Sequence, residues 1–141
     1  MRVEVLNQVT DEIVAAFERL LPQLSRSAEA LDAAALRRLV AYEANTILIA
    51  RSADAIVGTL TLVVFPIPTG LRAWIEDVVV DESARGQGVG AALTEEALRI
   101  ARAAGVRTVD LTSRPERTAA NRLYQRLGFA QRNSQVYRYT I

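Results

Sequence analysis

Ile75-Glu76-Asp77-Val78-Val79-Val80-Asp81-Glu82-Ser83-Ala84-Arg85-Gly86-Gln87-Gly88-Val89-Gly90 runs from a segment of β-forming residues, through a short polar link, into three glycines at alternate positions. Such glycines remove side chains where backbone must approach something closely. The free N–H groups in the first turn of a helix, helped by its dipole, are a ready place for a phosphate or pyrophosphate. Arg85 adds a charged donor. A turn chosen only for its geometry would use the same glycines, so the flanking sequence has to decide between the two.

Beyond the glycines, Val89, Leu93, Ala97, Ile100 and Ala101 fall at helical spacing, and Gly105 is placed to stop that helix. A strand at Arg107 to Thr112 follows, then a helix from Thr118 to Leu127 stopped by Gly128, then an extended segment from Phe129 to Thr140. Upstream, Arg2 to Leu6 alternate as a short strand. Thr10 or Asp11 can cap a helix with Ile13, Phe17, Leu20 and Leu24 on its apolar face, which Pro22 ends or kinks. A second helix starts near Asp32 and carries Leu36, Leu39 and Val40. Strands at Thr46 to Ala50, Ile56 to Phe65 and Ala73 to Val80, joined by turns at Ser52 to Ala55 and Pro66 to Gly70, read as an antiparallel meander. The pattern is a mixed α/β sheet. With no repeat and no Gly/Ser/Pro-rich linker, residues 1–141 are expected to form a single domain.

Composition narrows the chemistry. Half of the 141 residues are apolar and 23% are charged, as in an ordinary globular protein. There is no cysteine and no histidine, which removes the usual metal ligands, a thiol nucleophile and the usual general base. No metal site is expected. A net charge of +1 offers nothing to a nucleic acid or an anionic membrane. No apolar run approaches the roughly 20 residues of a membrane span, and the opening MRVEVLNQVTDEIV carries acids where a secretory signal would be apolar. A cytoplasmic protein is expected.

The glycine segment and its surroundings resemble the GNAT superfamily of acyl-CoA N-acyltransferases. That family's pyrophosphate loop, Gln/Arg-x-x-Gly-x-Gly/Ala, is matched by Arg85-Gly86-Gln87-Gly88-Val89-Gly90; Ile75 to Asp81 resembles its central strand; and Ala120-Asn121-Arg122-Leu123-Tyr124-Gln125-Arg126-Leu127-Gly128-Phe129 resembles its helix element, with Asn121 and Tyr124 closer together than in the longer form. The resemblance implies a GNAT fold of class α/β (α+β), with six to seven strands, an antiparallel N-terminal meander, about four helices and splayed central strands that form a cofactor cleft. It implies acetyl-CoA as acetyl donor. The backbone of Val78, Val79 and Val80 would then hold pantetheine, Arg85, Gly86, Gln87, Gly88, Val89 and Gly90 the pyrophosphate, and Tyr124 the thioester sulfur, while Asn121 would meet the pantetheine arm or an ordered water, or else lie on a solvated helix surface. A homodimer assembled through the C-terminal strand is a further implication.

Acetyl transfer to an amine needs a neutral amine, a stabilised oxyanion and a proton for the departing thiolate. Tyr124 can supply the proton, since a phenol stays protonated at neutral pH; it can also simply pack its helix. Glu76 and Asp77, as neighbours on a strand, point to opposite faces. Glu76 is assigned as general base, acting through water; a structural ion pair with an arginine is the alternative, and a bulge would exchange the two acids. The backbone N–H near Val78 is the natural oxyanion donor. Ser113 and Arg114 can meet an acidic group on acceptor or cofactor, and Trp74 and Tyr42 can line the acceptor pocket or belong to core and surface. The acceptor, a small-molecule or peptide amine, has no motif of its own. Two other readings exist. Gly86-x-Gly88-x-x-Ala91 with Asp110 about twenty residues on fits a dinucleotide fingerprint, and a domain that senses acyl-CoA without turnover would show the same cofactor motifs.

Overall fold

The alternating segments that precede the glycines pair into a sheet. In the computed structural model, which describes residues 1–141, the elements run β1 (Arg2–Val5), α1 (Asp11–Leu24), α2 (Ala33–Ala41), β2 (Asn45–Ser52), β3 (Ala55–Ile67), β4 (Gly70–Val80), a 3-10 turn (Glu82–Ala84), α3 (Val89–Ala103), β5 (Thr108–Asp110) and α4 (Thr118–Arg126). The chain forms two compact units, Met1–Leu111 and Thr112–Ile141.

In the first unit the strands lie in the order β1-β2-β3-β4-β5, antiparallel except for the parallel pair β4 and β5. The β2–β3 turn is closed by Ala53 and Asp54, both left-handed at φ 48 and 66. Two such residues twist the turn in the same sense as the strands it joins. Thr10 caps α1 by accepting from the Ile13 N–H at 3.3 Å, and Asp32 caps α2 by accepting from the Ala35 N–H at 2.8 Å. Pro22 sits in the last turn of α1, which closes at Leu24.

Helices pack on both faces of the sheet. On one, Ile47, Ile49 and Val79 join Ile13, Phe17 and Leu20 of α1 and Leu36 of α2 in a single apolar cluster. On the other, Leu48, Leu60, Leu62, Ala73 and Ile75 are buried together with Val89, Leu93, Ala97 and Ala101 of α3. A largely antiparallel sheet with one parallel pair is not the doubly wound parallel sheet of a dinucleotide-binding domain.

Five strands form, not the six to seven expected. In the second unit α4 is the one regular element, and Phe129 to Thr140 joins no sheet. The segment carries five consecutive polar residues, Gln131 to Gln135, and its later Val136, Tyr137 and Tyr139 are exposed. β5 is also shorter than Arg107 to Thr112, because the chain turns into the polar, proline-containing Thr112 to Arg117.

Gly58 marks where α3 presses on the sheet: a Cβ there would lie 3.0 Å from Val89 Cγ1, 3.1 Å from Leu93 Cδ1 and 3.2 Å from the Val79 carbonyl oxygen. Gly58→Val is therefore expected to destabilise the fold by about 1–3 kcal/mol through overpacking, read from the urea midpoint. An unchanged midpoint would mean that α3 is free to shift.

Candidate functional site

β4 carries the first group of candidate residues, and its geometry turns on a bulge. Thr61 is opposite Glu76 while Thr59 is opposite Val79, so Leu60 faces two residues, Asp77 and Val78. Asp77 takes a left-handed conformation at φ 50, a strained state for a residue with a Cβ, though one that Asp tolerates better than most. Partners across a ladder share a face, so Glu76 and Val79 stand on the same side of the sheet, the side of α1 and α2. Val79 is buried in the core there, and Val78 and Val80 are half-buried. The Glu76 residue is exposed, yet its carboxyl has lost part of its solvent; that desolvation, followed by the negative charge of Asp77, raises its pKa. No arginine pairs with it, since the acids in ion pairs are Glu4, Glu12, Asp81 and Glu96.

The edge of β4 is half open. β5 pairs with it only from Arg72 to Trp74, and from Ile75 to Val80 no strand lies on that side. Backbone groups that would have entered a ladder are left for another partner.

The glycine segment follows directly. Gly86 and Gly88 are left-handed at φ 76 and 83, and a side chain at either would project into open space. Gly88 is the N-cap of α3 and offers no side-chain cap, and the first turn of α3 has no acid. α1 and α2, by contrast, are both capped by side chains. The unsatisfied N–H groups of α3 open onto a cradle that side chains would fill. With exposed Arg85 beside them, these residues fit a pyrophosphate.

What holds this loop was missed in the sequence. Asp81 Oδ1 accepts from the Ser83 N–H at 3.0 Å and from its hydroxyl at 2.9 Å, while Oδ2 accepts from Arg19 Nε at 3.0 Å. Gln23 of α1 accepts from the Glu82 N–H at 2.9 Å. The Asp-x-Ser spacing, which favours an Asx turn, was the available signal; Arg19, 62 residues away, had none. The Ser83 N–H, then its hydroxyl, then Arg19 hold the Asp81 carboxyl below its ordinary pKa.

In the second unit, Tyr124 is buried and its ring packs edge-on against Phe129, with centroids 5.7 Å apart. Burial raises the phenol pKa, partly offset by Arg117, so the group keeps its proton at neutral pH. Asn121 Nδ2 donates to the Arg114 carbonyl at 3.0 Å, which fixes the loop before α4. Ser113 Oγ is buried without a hydrogen-bond partner. Tyr42 is exposed on the surface and Trp74 is half-buried on the sheet. Two shallow depressions, of about 530 Å³ beside Asn7 and Arg37 and about 480 Å³ beside Arg19 and Asp81, include neither Glu76 nor the glycines.

The sheet of the first unit opens along one strand beside an uncapped, glycine-fronted helix. The chain belongs to the acetyltransferase (GNAT) family, whose model matches residues 7–129. It is 34% identical over 73 residues to N-alpha-acetyltransferase 30 of Schizosaccharomyces pombe, a match covering 52% of this chain and 48% of that protein. The chain thus aligns with about half the length of that relative. Among solved structures, an acetyltransferase of Trypanosoma brucei has 26% identity and a TM-score of 0.79, with 99% of each chain covered. An aminoglycoside acetyltransferase from an uncultured soil metagenomic sample has 21% identity and a TM-score of 0.86, over 99% of this chain and 95% of that one. No helix is long and apolar enough to cross a membrane.

Asp81→Ala is expected to cost about 1–3 kcal/mol, because Ser83 and Arg19 lose their acceptor. Since the Asp81 pKa is depressed, its contribution is present above the ordinary Asp pKa of about 3.9 and fades as pH falls through the lower native value. Chemical denaturation at neutral and acid pH should therefore show the gap between wild type and variant closing in acid.

Proposed function

We propose that this protein moves the acetyl group of acetyl-CoA directly to a primary amine within a ternary complex, with Glu76 as general base and Tyr124 as general acid. The observation that carries the reading is Glu76 just ahead of the β4 bulge, a partly desolvated, unpaired carboxylate beside a strand edge free to bind. Acetyl-CoA, when bound, supplies an activated acetyl thioester. Its pyrophosphate belongs with Arg85 and the amides of Gly86, Gln87, Gly88, Val89 and Gly90, and its pantetheine arm with the backbone of Val78, Val79 and Val80 along the free edge and with Asn121. Val79 can serve both ways, its side chain in the core and its backbone at the edge. The absence of cysteine supports direct transfer over a thiol-bound intermediate.

Glu76 takes the proton that the incoming ammonium must lose, through a water molecule. A raised pKa suits it to that work, because a base nearer neutrality accepts the proton with a smaller mismatch. Tyr124 holds a proton at its phenol oxygen for the departing sulfur. The Val78 N–H, beside the bulge, is the donor assigned to the oxyanion. Residues 1–141 act as a single cytoplasmic catalytic domain in this reading, and self-association runs through the C-terminal segment, where Val136, Tyr137, Tyr139 and Ile141 are exposed.

Two experiments test it. Acetyl-CoA at a hundred times its dissociation constant should stabilise the native state by about 2.7 kcal/mol, NAD should not, and Gly88→Val should abolish the effect by forcing a β-branched residue into a left-handed position. Stabilisation by NAD alone, or by neither ligand, would overturn the cofactor assignment. In kinetics, wild-type kcat/KM should fall with pH through a value above the ordinary Glu pKa of about 4.3. Glu76→Gln should lower the rate about 100-fold or more near neutrality, with the gap narrowing at high pH, where the amine arrives already neutral. Tyr124→Phe should lower kcat at least about tenfold with acetyl-CoA affinity unchanged. Equal pH profiles would remove Glu76 as base, and a fully active Tyr124→Phe enzyme would remove Tyr124 as acid.

A further inference from the structure

The register of the sheet places Asp110 on the same face as Glu76. Trp74 is the Cα partner of Asp110 in the parallel β4–β5 pair and of Val63 in the antiparallel β3–β4 pair, and Glu76 is the partner of Thr61. Cross-strand partners share a face, as do residues two apart on an unbulged strand. Asp110, Trp74, Val63, Thr61 and Glu76 therefore line one face, while Ala73 and Ile75 between them are buried on the other. At the far end of this face Ile47, Ile49, Thr59 and Val79 are buried, whereas these five remain half-buried or exposed. None of these five belongs to the apolar cluster that α1 and α2 form with the sheet.

Its charge is one-sided. Asp110 is half-buried and takes part in none of the ion pairs that hold Glu4, Glu12, Asp81 and Glu96. Its carboxylate oxygens reach solvent, since the one buried side-chain oxygen or nitrogen without a partner is Ser113 Oγ, so a cation from outside the chain can meet it. Arg72, two residues before Trp74 on the same face, is committed to the β3–β4 turn through Thr69 Oγ1 at 3.1 Å and the Thr69 carbonyl at 3.4 Å. Glu76 and Asp110 are offset by one strand and two residues, about 8 Å between Cα atoms. An ammonium at each carboxylate would be joined by a short methylene chain lying over the indole of Trp74, which offers both apolar surface and a π face.

We propose that Asp110 determines acceptor specificity by binding a second ammonium group, so that the preferred acceptor is a small diamine or polycationic amine and not an amine bearing a phosphate or carboxylate. This deepens the acetyl-transfer reading and rests on it for the reacting end. One ammonium gives a first proton to Glu76 through water, its nitrogen forms the new amide bond as the thioester C–S bond breaks, the sulfur takes a proton from Tyr124, and the second proton that the nitrogen must lose passes through solvent to restore the Tyr124 phenol. The second ammonium stays protonated at Asp110 and takes part in no bond change.

The test is calorimetry with the CoA-loaded protein, using putrescine against butylamine, which has the same carbon chain and one ammonium, together with acetylation kinetics on both. Putrescine should bind about tenfold more tightly than butylamine. Asp110→Asn should remove that preference and leave butylamine unchanged within about twofold, and Asp110→Glu should restore part of it. In turnover the loss should fall on KM and not on kcat. Equal binding of the two amines by the wild type, or an equal loss for both in Asp110→Asn, would overturn the proposal. A preserved diamine preference in binding with no acetylation of either amine would instead overturn the acetyl-transfer reading, so the two failures are distinguishable.

Discussion

Opposite Leu60, β4 carries two residues where the ladder has room for one. With strict alternation from Glu76 onward, Val79 would point toward α3 and Val80 toward α1. The extra residue reverses that order, so Val79 joins Ile13, Phe17 and Leu20, and Val80 lies opposite Gly58 under α3. The cost is a left-handed Asp77, about 1–3 kcal/mol of backbone strain. Burying Val79 returns a similar amount, about 1.5–3 kcal/mol. Because the two nearly offset, the bulge is tolerated by the fold, and just ahead of it Glu76 stands on the side of α1 and α2 with the like charge of Asp77 beside it.

The same strand delivers the chain to the glycines, and the freedom of Gly86 and Gly88 is useful only if the chain before them is held. Asp81 supplies the hold. Through Arg19 and Gln23 the start of the loop is tied to α1, whose opposite side fills the core. α1 is placed in turn at its other end, where Arg51 of β2 meets Glu4 of β1 at 2.9 Å and Glu12 of α1 at 3.0 Å. Pairs this exposed add little to stability one by one, but they set where α1 lies along the sheet. The uncapped turn of α3 thus opens at a defined place although its own loop makes few contacts.

Much of this was legible as sequence, for reasons that are local. Thr10 and Asp32 cap helices because their side chains reach donors three residues on; Gly105 and Gly128 end helices because they take left-handed φ values of 83 and 102. The spacing of Gly86 and Gly88 from Val89 made the uncapped start of α3 readable. Non-local features were not. Nothing in Glu76-Asp77-Val78 states that the ladder slips there, and alternation alone left open which acid faced the helices. Phe129 to Thr140 has the β-forming residues of a strand, yet strand formation depends on an available neighbour and not on propensity alone. Asp110 is the clearest case: counting residues from the glycines made it the acid of a dinucleotide fingerprint, whereas pairing with Trp74 puts it on the same face of a mixed sheet as Glu76.

The distribution of positive charge completes the chemical picture. All 17 basic residues are arginine, and a guanidinium stays protonated in proteins and is no nucleophile at neutral pH. Every side-chain cation of the chain can therefore sit near an activated acetyl group without becoming its acceptor. Arginine also pairs through a planar fork, as Arg51 does with Glu12 and Arg99 with Glu96. The cations that stabilise the surface are thereby separated from the amine chemistry. The carboxylates left outside these pairs on that face, Glu76 and Asp110, remain available to an ammonium that comes from solution, so the proposed acceptor preference would follow from the same charge arrangement as the arginine pairing.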